Sequence, residues 1–210
     1  MTRRPSRPRS PARRRTRTLL DRMLAARNEH PERLDEIDRE IHATFTETRA
    51  VLVLDMCGFS RLTLLHGITH FLAMIHRLHG IVRPIIVANG GQVVKTEADN
   101  VFATFDDAPQ AVAAAREIQG KLEQANVFLP EDWDLHASLG IGYGPTLLVG
   151  QNDLFGSEVN IASKLGEDVA GRGETFLTEA ARARLPDDAR VERRDIQVSA
   201  VVVGAFKLLA

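Results

Sequence analysis

The chain predicts an α+β domain built on a split βαβ sheet, antiparallel or mixed, with its helices on one face. Three observations carry that expectation. Residues 50–54 are a run of valine and leucine between polar flanks, with the length and composition of a strand buried on both faces. Residues 92–95 and 101–105 are two short β-prone runs joined by the polar Thr96-Glu97-Ala98-Asp99-Asn100, a hairpin with a slightly long turn. Helical periodicity lies on either side of that hairpin, so the order reads strand, helix, hairpin, helix, strand.

Taken in order, residues 18–43 carry apolar side chains at Leu19, Leu20, Met23 and Leu24, then at Leu34, Ile37 and Ile41. This is a helical spacing broken near Pro31, and it predicts two amphipathic helices that pack on the domain or on a second copy of themselves. The strand at 50–54 ends at Asp55, which places a carboxylate at its mouth. After the Cys57-Gly58-Phe59-Ser60 turn a long helical segment runs to about Ala88, with a kink expected at Pro84 and a stop at Asn89-Gly90-Gly91. Beyond the hairpin, Asp106 or Asp107 caps a helix that has Pro109 in its first turn. Strands at 135–141 and 146–149 are expected to flank a Gly142-Tyr143-Gly144-Pro145 turn, with a further helix from near Ser157. A short strand, a short helix and two strands complete the chain.

At 210 residues, with 44% hydrophobic and 26% charged side chains, the composition is that of one globular domain with an irregular end. The single cysteine, Cys57, cannot form an intrachain disulfide, which fits a reducing cytoplasm. No run of about 20 consecutive apolar residues occurs and no apolar signal core follows the arginine-rich start, so neither secretion nor membrane insertion is expected. The net charge of -1 conceals an asymmetry: residues 1–17 hold eight arginines, three prolines and no acid. The expected partition is a disordered basic tail over 1–17, a helical segment over 18–47 and a catalytic domain over 48–210. The tail reads as solvated chain, or else as a weak attractor of nucleic acid, anionic lipid or an acidic partner.

In this order of elements Asp55 ends the first strand and Asp99 lies in the hairpin turn beside it, although 44 positions separate them. Both carboxylates can then meet at one edge of the sheet. Hard anionic oxygens suit Mg²⁺ or Mn²⁺, and a pair of such ions can clamp an in-line phosphoryl displacement. Two aspartates in turns serve otherwise as caps or turn formers. His66 and His70 share helical spacing without the glutamate of a zinc-protease helix, no Gly-x-Ser-x-Gly occurs, and no basic stripe with interleaved aromatics marks the domain.

Three segments carry a resemblance: Leu54-Asp55-Met56-Cys57-Gly58-Phe59-Ser60; Val94-Lys95-Thr96-Glu97-Ala98-Asp99; and Asp153 through Lys164. In order and spacing the chain resembles the class III nucleotide cyclase catalytic domain, the family of adenylate and guanylate cyclases, over roughly residues 48–180. The resemblance implies a ferredoxin-like, palm-type sheet and conversion of ATP to 3′,5′-cyclic AMP and pyrophosphate. It assigns two Mg²⁺ or Mn²⁺ ions to Asp55, Asp99 and the carbonyl of Met56, and the triphosphate to the turn through Gly58, Phe59 and Ser60. Lys95 and Asp153 stand where the family reads the base, and a donor with an acceptor matches adenine. Guanylate cyclases usually have Glu at the first position and a smaller polar residue at the second. Asn160 corresponds to the residue that orients the ribose. Lys164 stands where most of the family has an arginine that stabilises the transferring phosphate, and the family's C-terminal phosphate lysine has no secure match. The family's sites are shared between chains, which implies a head-to-tail homodimer. The alternatives are a weakly active cyclase-like module that binds nucleotide and signals, or a cyclase of GTP or a pyrimidine triphosphate.

Overall fold

The computed structural model describes residues 15–130, 133–198 and 201–209. Helices α1 (Arg17–Glu29) and α2 (Leu34–Phe45), separated by a 3₁₀ turn at Pro31–Arg33, lead directly into β1 (Thr46–Met56). Then follow α3 (Phe59–His66), α4 (Ile68–Ala88), the hairpin β2 (Gln92–Glu97) and β3 (Asn100–Phe105), and α5 (Ala108–Asn126). The second half comprises β4 (Ala137–Val149), β5 (Asp153–Phe155), α6 (Ser157–Lys164), a π-helical turn at Leu165–Val169, β6 (Thr175–Thr178), α7 (Glu179–Arg182), β7 (Val191–Val198) and β8 (Val201–Leu208).

The strands form one mixed sheet in the order β2-β3-β1-β4-β6-β8-β7, with β5 paired to β4. β1 is central because its inner residues are apolar on both faces. Leu52 and Leu54 face α4 and α5 in the main core with Leu78, Ile86 and Ile118. Val51 and Val53 face the opposite side with Phe102, Val159 and Ala162, so α6 covers a second face in addition to the expected helical layer. Each large aliphatic side chain fully buried here contributes about 1.5–3 kcal/mol.

Local chemistry explains the element boundaries. Asp107 caps α5 in a reciprocal capping box with Gln110. The expected long helix after Ser60 is two helices, and the break falls at Gly67, with φ +80°, not at Pro84, which lies exposed within α4. Among the described residues α4 is the one helix long and apolar enough to cross a membrane, although Arg77 and Arg83 interrupt its apolar run. It buries Phe71, Met74, Leu78, Val82 and Ile86 in the core.

The expected turn at Gly142-Tyr143-Gly144-Pro145 does not exist, because β4 is continuous over 13 residues. Gly140, Gly142 and Gly144 alternate along it and so share one face. A Cβ at Gly142 would lie 2.6 Å from the Glu158 carbonyl oxygen, one at Gly144 would lie 2.9 Å from the Glu158 side chain, and one at Gly140 would overlap the Ala162 carbonyl. The glycines make a bare seat on which α6 rests against the strand.

Residues 1–14 of the expected tail lie outside the described residues. Arg15–Arg17 do not continue it: Thr16 caps α1, Arg15 pairs with Glu47, and the Arg15 carbonyl accepts from the Gly150 amide. α1 and α2 then dock on β4 through Leu20, Ile37, Ile41, Phe45 and Val149. At the far edge of the sheet, β7 is lined with charge, Arg193 pairing with Asp195 and Arg194 with Glu192.

Candidate active site

β1 and β3 are antiparallel, with Leu54 opposite Val101. One step further along each strand stand Asp55 and Asn100, and Asp99 precedes Asn100 in a two-residue turn. The turn is shorter than expected because Ala98 takes a left-handed conformation, φ +51°, letting β2 run to Glu97 and β3 start at Asn100.

Asp55 feels the charge of Asp99. Burial, then the charges of Asp99, Glu167 and Asp168, push the Asp55 carboxyl up to about 7. Burial also raises Asp99, against the lowering effect of its own backbone amide. Glu167, on the π-helical turn, is raised by burial and by Asp168, and it accepts a hydrogen bond from Asn100 Nδ2 at 3.2 Å. Like charges gathered in a half-buried place are costly, and Asp55 and Glu167 answer by holding their protons more tightly.

Among the described residues no group of three or more His, Cys, Asp or Glu side chains is arranged to hold a metal ion. The two carboxylates present are hard donors of the kind that suit Mg²⁺ or Mn²⁺. The Met56 side chain is buried in the core, so the carbonyl is its available donor. Gly58 takes φ +95° at the start of α3, and this left-handed residue turns the chain from β1 into the helix. Phe59 and Ser60 open α3, where unpaired backbone amides face outward from the helix end. The side chains of residues 59–62 lie outside the described set.

A second constellation lies on β2 and β5. Lys95 Nζ stands 3.2 Å from Asp153 Oδ1 and 2.8 Å from Glu97 Oε1, and 4.7 Å from the Phe102 ring centre. A β-bulge between Val93 and Lys95 re-aims the strand there, sending Val94 into the core. Burial alone would lower the Lys95 ammonium, but hydrogen bonds to Glu97 and Asp153 outweigh it and raise the group. The charges acting on Lys95 are Asp153 and Glu97, and those acting on Asp55 are Asp99, Glu167 and Asp168. Glu97 links the two groups, since its charge also acts on Glu167.

α6 supplies Asn160 and, one turn later, Lys164. Asn160 is exposed, whereas Lys164 is engaged in an ion pair with Asp168 that raises its ammonium. The helix is pinned by Glu158, whose Oε2 accepts from the Tyr143 amide at 3.0 Å and from Thr178 Oγ1 at 2.7 Å. Three residues at these sites escaped sequence reasoning. Glu158 was signalled by the alternating glycines it covers, and Glu167 only by its place one turn past Lys164. The third, Arg17, whose Nη2 is 3.0 Å from Asp153 Oδ2, had no local signal.

No family model matches the chain. It is 31% identical over 130 residues to "Putative adenylate cyclase 3" of Rhizobium meliloti, covering 62% of this chain and 22% of that protein. It is 30% identical over 116 residues to "Adenylate cyclase" of Streptomyces coelicolor, covering 55% of this chain and 29% of that protein. The chain thus spans less than a third of the length of these curated relatives. Among solved structures, an adenylate/guanylate cyclase/hydrolase from Silicibacter pomeroyi superposes with a TM-score of 0.67 at 26% identity, covering 79% of this chain and 98% of that one. In fold and in sequence, the chain is therefore similar to the catalytic domains of class III adenylate and guanylate cyclases.

Proposed function

We propose that this protein is an adenylate cyclase that converts ATP to 3′,5′-cyclic AMP and pyrophosphate, with residues 48–210 as its catalytic domain. The observation that carries the reading is the convergence of Asp55 and Asp99, the charge of one raising the carboxyl of the other, on a sheet of the cyclase kind. They would hold two Mg²⁺ or Mn²⁺ ions, with the Met56 carbonyl as a further donor. Bound there, the ions would acidify the ribose 3′-hydroxyl and neutralise the leaving pyrophosphate.

The chain's own residues do the rest by positioning. The turn through Gly58, Phe59 and Ser60 offers amides to the triphosphate. Asn160 orients the ribose and brings its 3′-oxygen in line with the α-phosphorus. Lys164 offers charge to the transferring phosphate, but as a point charge without the bidentate fork of arginine. Lys95 donates to the adenine ring and Asp153 accepts from its amino group. The resemblance to class III cyclase domains, whose sites are shared between chains, supports a head-to-tail homodimer, in which the carboxylates of one chain face the base-reading pair of the other. The cytoplasm is the compartment that fits ATP and an unpaired thiol, and the basic tail is left as a weak anion attractor.

The ion pair between Lys164 and Asp168 favours a second reading, a weakly active module that binds nucleotide and signals through it. Product analysis separates the two. Wild type and Asp55→Ala are incubated with each of the four nucleoside triphosphates and Mn²⁺ or Mg²⁺, and products are identified by mass. Cyclic AMP from wild type alone supports the proposal. Nucleotide binding without any cyclic product selects the signalling module, and a cyclic product mainly from GTP or a pyrimidine triphosphate overturns the base assignment.

A further inference from the structure

Asp153 is held at both of its oxygens. Oδ1 meets Lys95 Nζ at 3.2 Å and accepts from the Leu154 amide at 2.9 Å. By themselves these contacts form a pivot, because a carboxylate held at one oxygen can still swing its plane. Oδ2 meets Arg17 Nη2 at 3.0 Å, and that second fixed point sets the plane. The Arg17 guanidinium also lies over Phe155, 5.6 Å from the ring centre, so it grips β5 at two alternate residues.

We propose that Arg17 is a positioning residue for base recognition: the first residue of α1 orients the Asp153 carboxylate so that it accepts from an adenine amino group. This rests on the reading of Lys95 and Asp153 as the base-contacting pair. The placement of Arg17 is not explained by the helix it belongs to, since a cation at a helix N-terminus opposes the helix dipole. It is explained by what lies opposite. Thr16 caps α1 and the Arg15 carbonyl is bonded to Gly150, while Leu20 packs with Val149, so the start of α1 is docked on the β4–β5 turn that presents Asp153. Exposure agrees with a clamp on the solvent side, the Arg17 side chain being 57% exposed and Asp153 19%.

The test is binding and turnover of the full chain with ATP and GTP, using non-reactive methylene analogues for binding. Partly exposed ion pairs set the scale, so Arg17→Ala should weaken ATP binding and raise its KM about threefold. Turnover at saturating ATP should stay unchanged, as should GTP binding, so that the preference for ATP over GTP falls by the same factor. Arg17→Lys should restore part of it, and on an Asp153→Asn background Arg17→Ala should add nothing. Arg27→Ala is the control for a merely structural role, since it removes the ion pair of α1 with Asp38 on α2, leaves every partner of Asp153 in place and should leave the base preference intact. Equal losses for ATP and GTP, tighter ATP binding in Arg17→Ala, or an Arg27→Ala variant that reproduces its effect would overturn the proposal. If no cyclic product forms while ATP binding still depends on Arg17, the cyclase reading fails and the positioning role stands.

Discussion

Replacing Asp55 with asparagine should make the metal-free protein more stable at pH 8 while removing its response to divalent cations. Asp55 is a carboxyl pushed up to about 7 by burial and by the charges of Asp99, Glu167 and Asp168. An unfolded aspartate ionises near 3.9, so between roughly pH 4 and 7 the folded state holds a proton that the unfolded state has released. A raised carboxyl favours folding below its unfolded pKa and loses that advantage as pH rises through its folded one, so above pH 7 the ionised group is a full liability. About three units would correspond to ~4 kcal/mol at most, and discounting for a half-buried group that water reaches leaves about 1–2 kcal/mol. For a domain of this size that is a rise of roughly 2–8 °C in Tm for Asp55→Asn. Thermal melts in chelator at pH 8 and pH 4 measure it: the gap should be present at pH 8 and vanish at pH 4. Millimolar Mn²⁺ should then raise the wild-type Tm and leave the variant unmoved. Equal melting of the two proteins at pH 8, or an equal response to Mn²⁺, would refute the reasoning.

Gly140→Ala should cost about 3 kcal/mol, since the new methyl group meets the Ala162 carbonyl and can be accommodated only by moving α6; urea unfolding reads the loss, and nucleotide turnover should fall with it as Asn160 and Lys164 shift. Ala98→Gly relieves a left-handed alanine and should stabilise the chain by about 0.5–1 kcal/mol after the greater unfolded-state freedom of glycine is subtracted, visible as a higher midpoint in the same titration. Lys164→Arg should raise turnover by up to about tenfold with little change in KM, because a planar fork can bridge to phosphate while still reaching Asp168; steady-state kinetics with Mn²⁺ decide it.

What could be read from the chain alone followed the range of the interactions involved. The β1 strand, the Asp107 cap and the hairpin were legible because each is written in consecutive residues, and the meeting of Asp55 with Asp99 followed from element order once β1 and β3 were taken as neighbours. The Gly142–Pro145 stretch misled because glycine and proline mark turns locally, whereas here the glycines answer to α6, a helix that starts at Ser157. Gly67 and Pro84 were confused for a similar reason: a proline near the end of a helix can be absorbed, while a residue with positive φ forces a break. The contact between Arg17 and Asp153 spans 136 positions and leaves no pattern along the chain.

The charged border formed by β7 bears on how many molecules can join. A bare outer strand would be an open template, and one chain after another could add to it by backbone pairing until the product became a fibre. Two arginines between two acids, Glu192-Arg193-Arg194-Asp195, keep that rim hydrated and make such stacking unprofitable. That rim is a poor place for a second chain to add by backbone pairing.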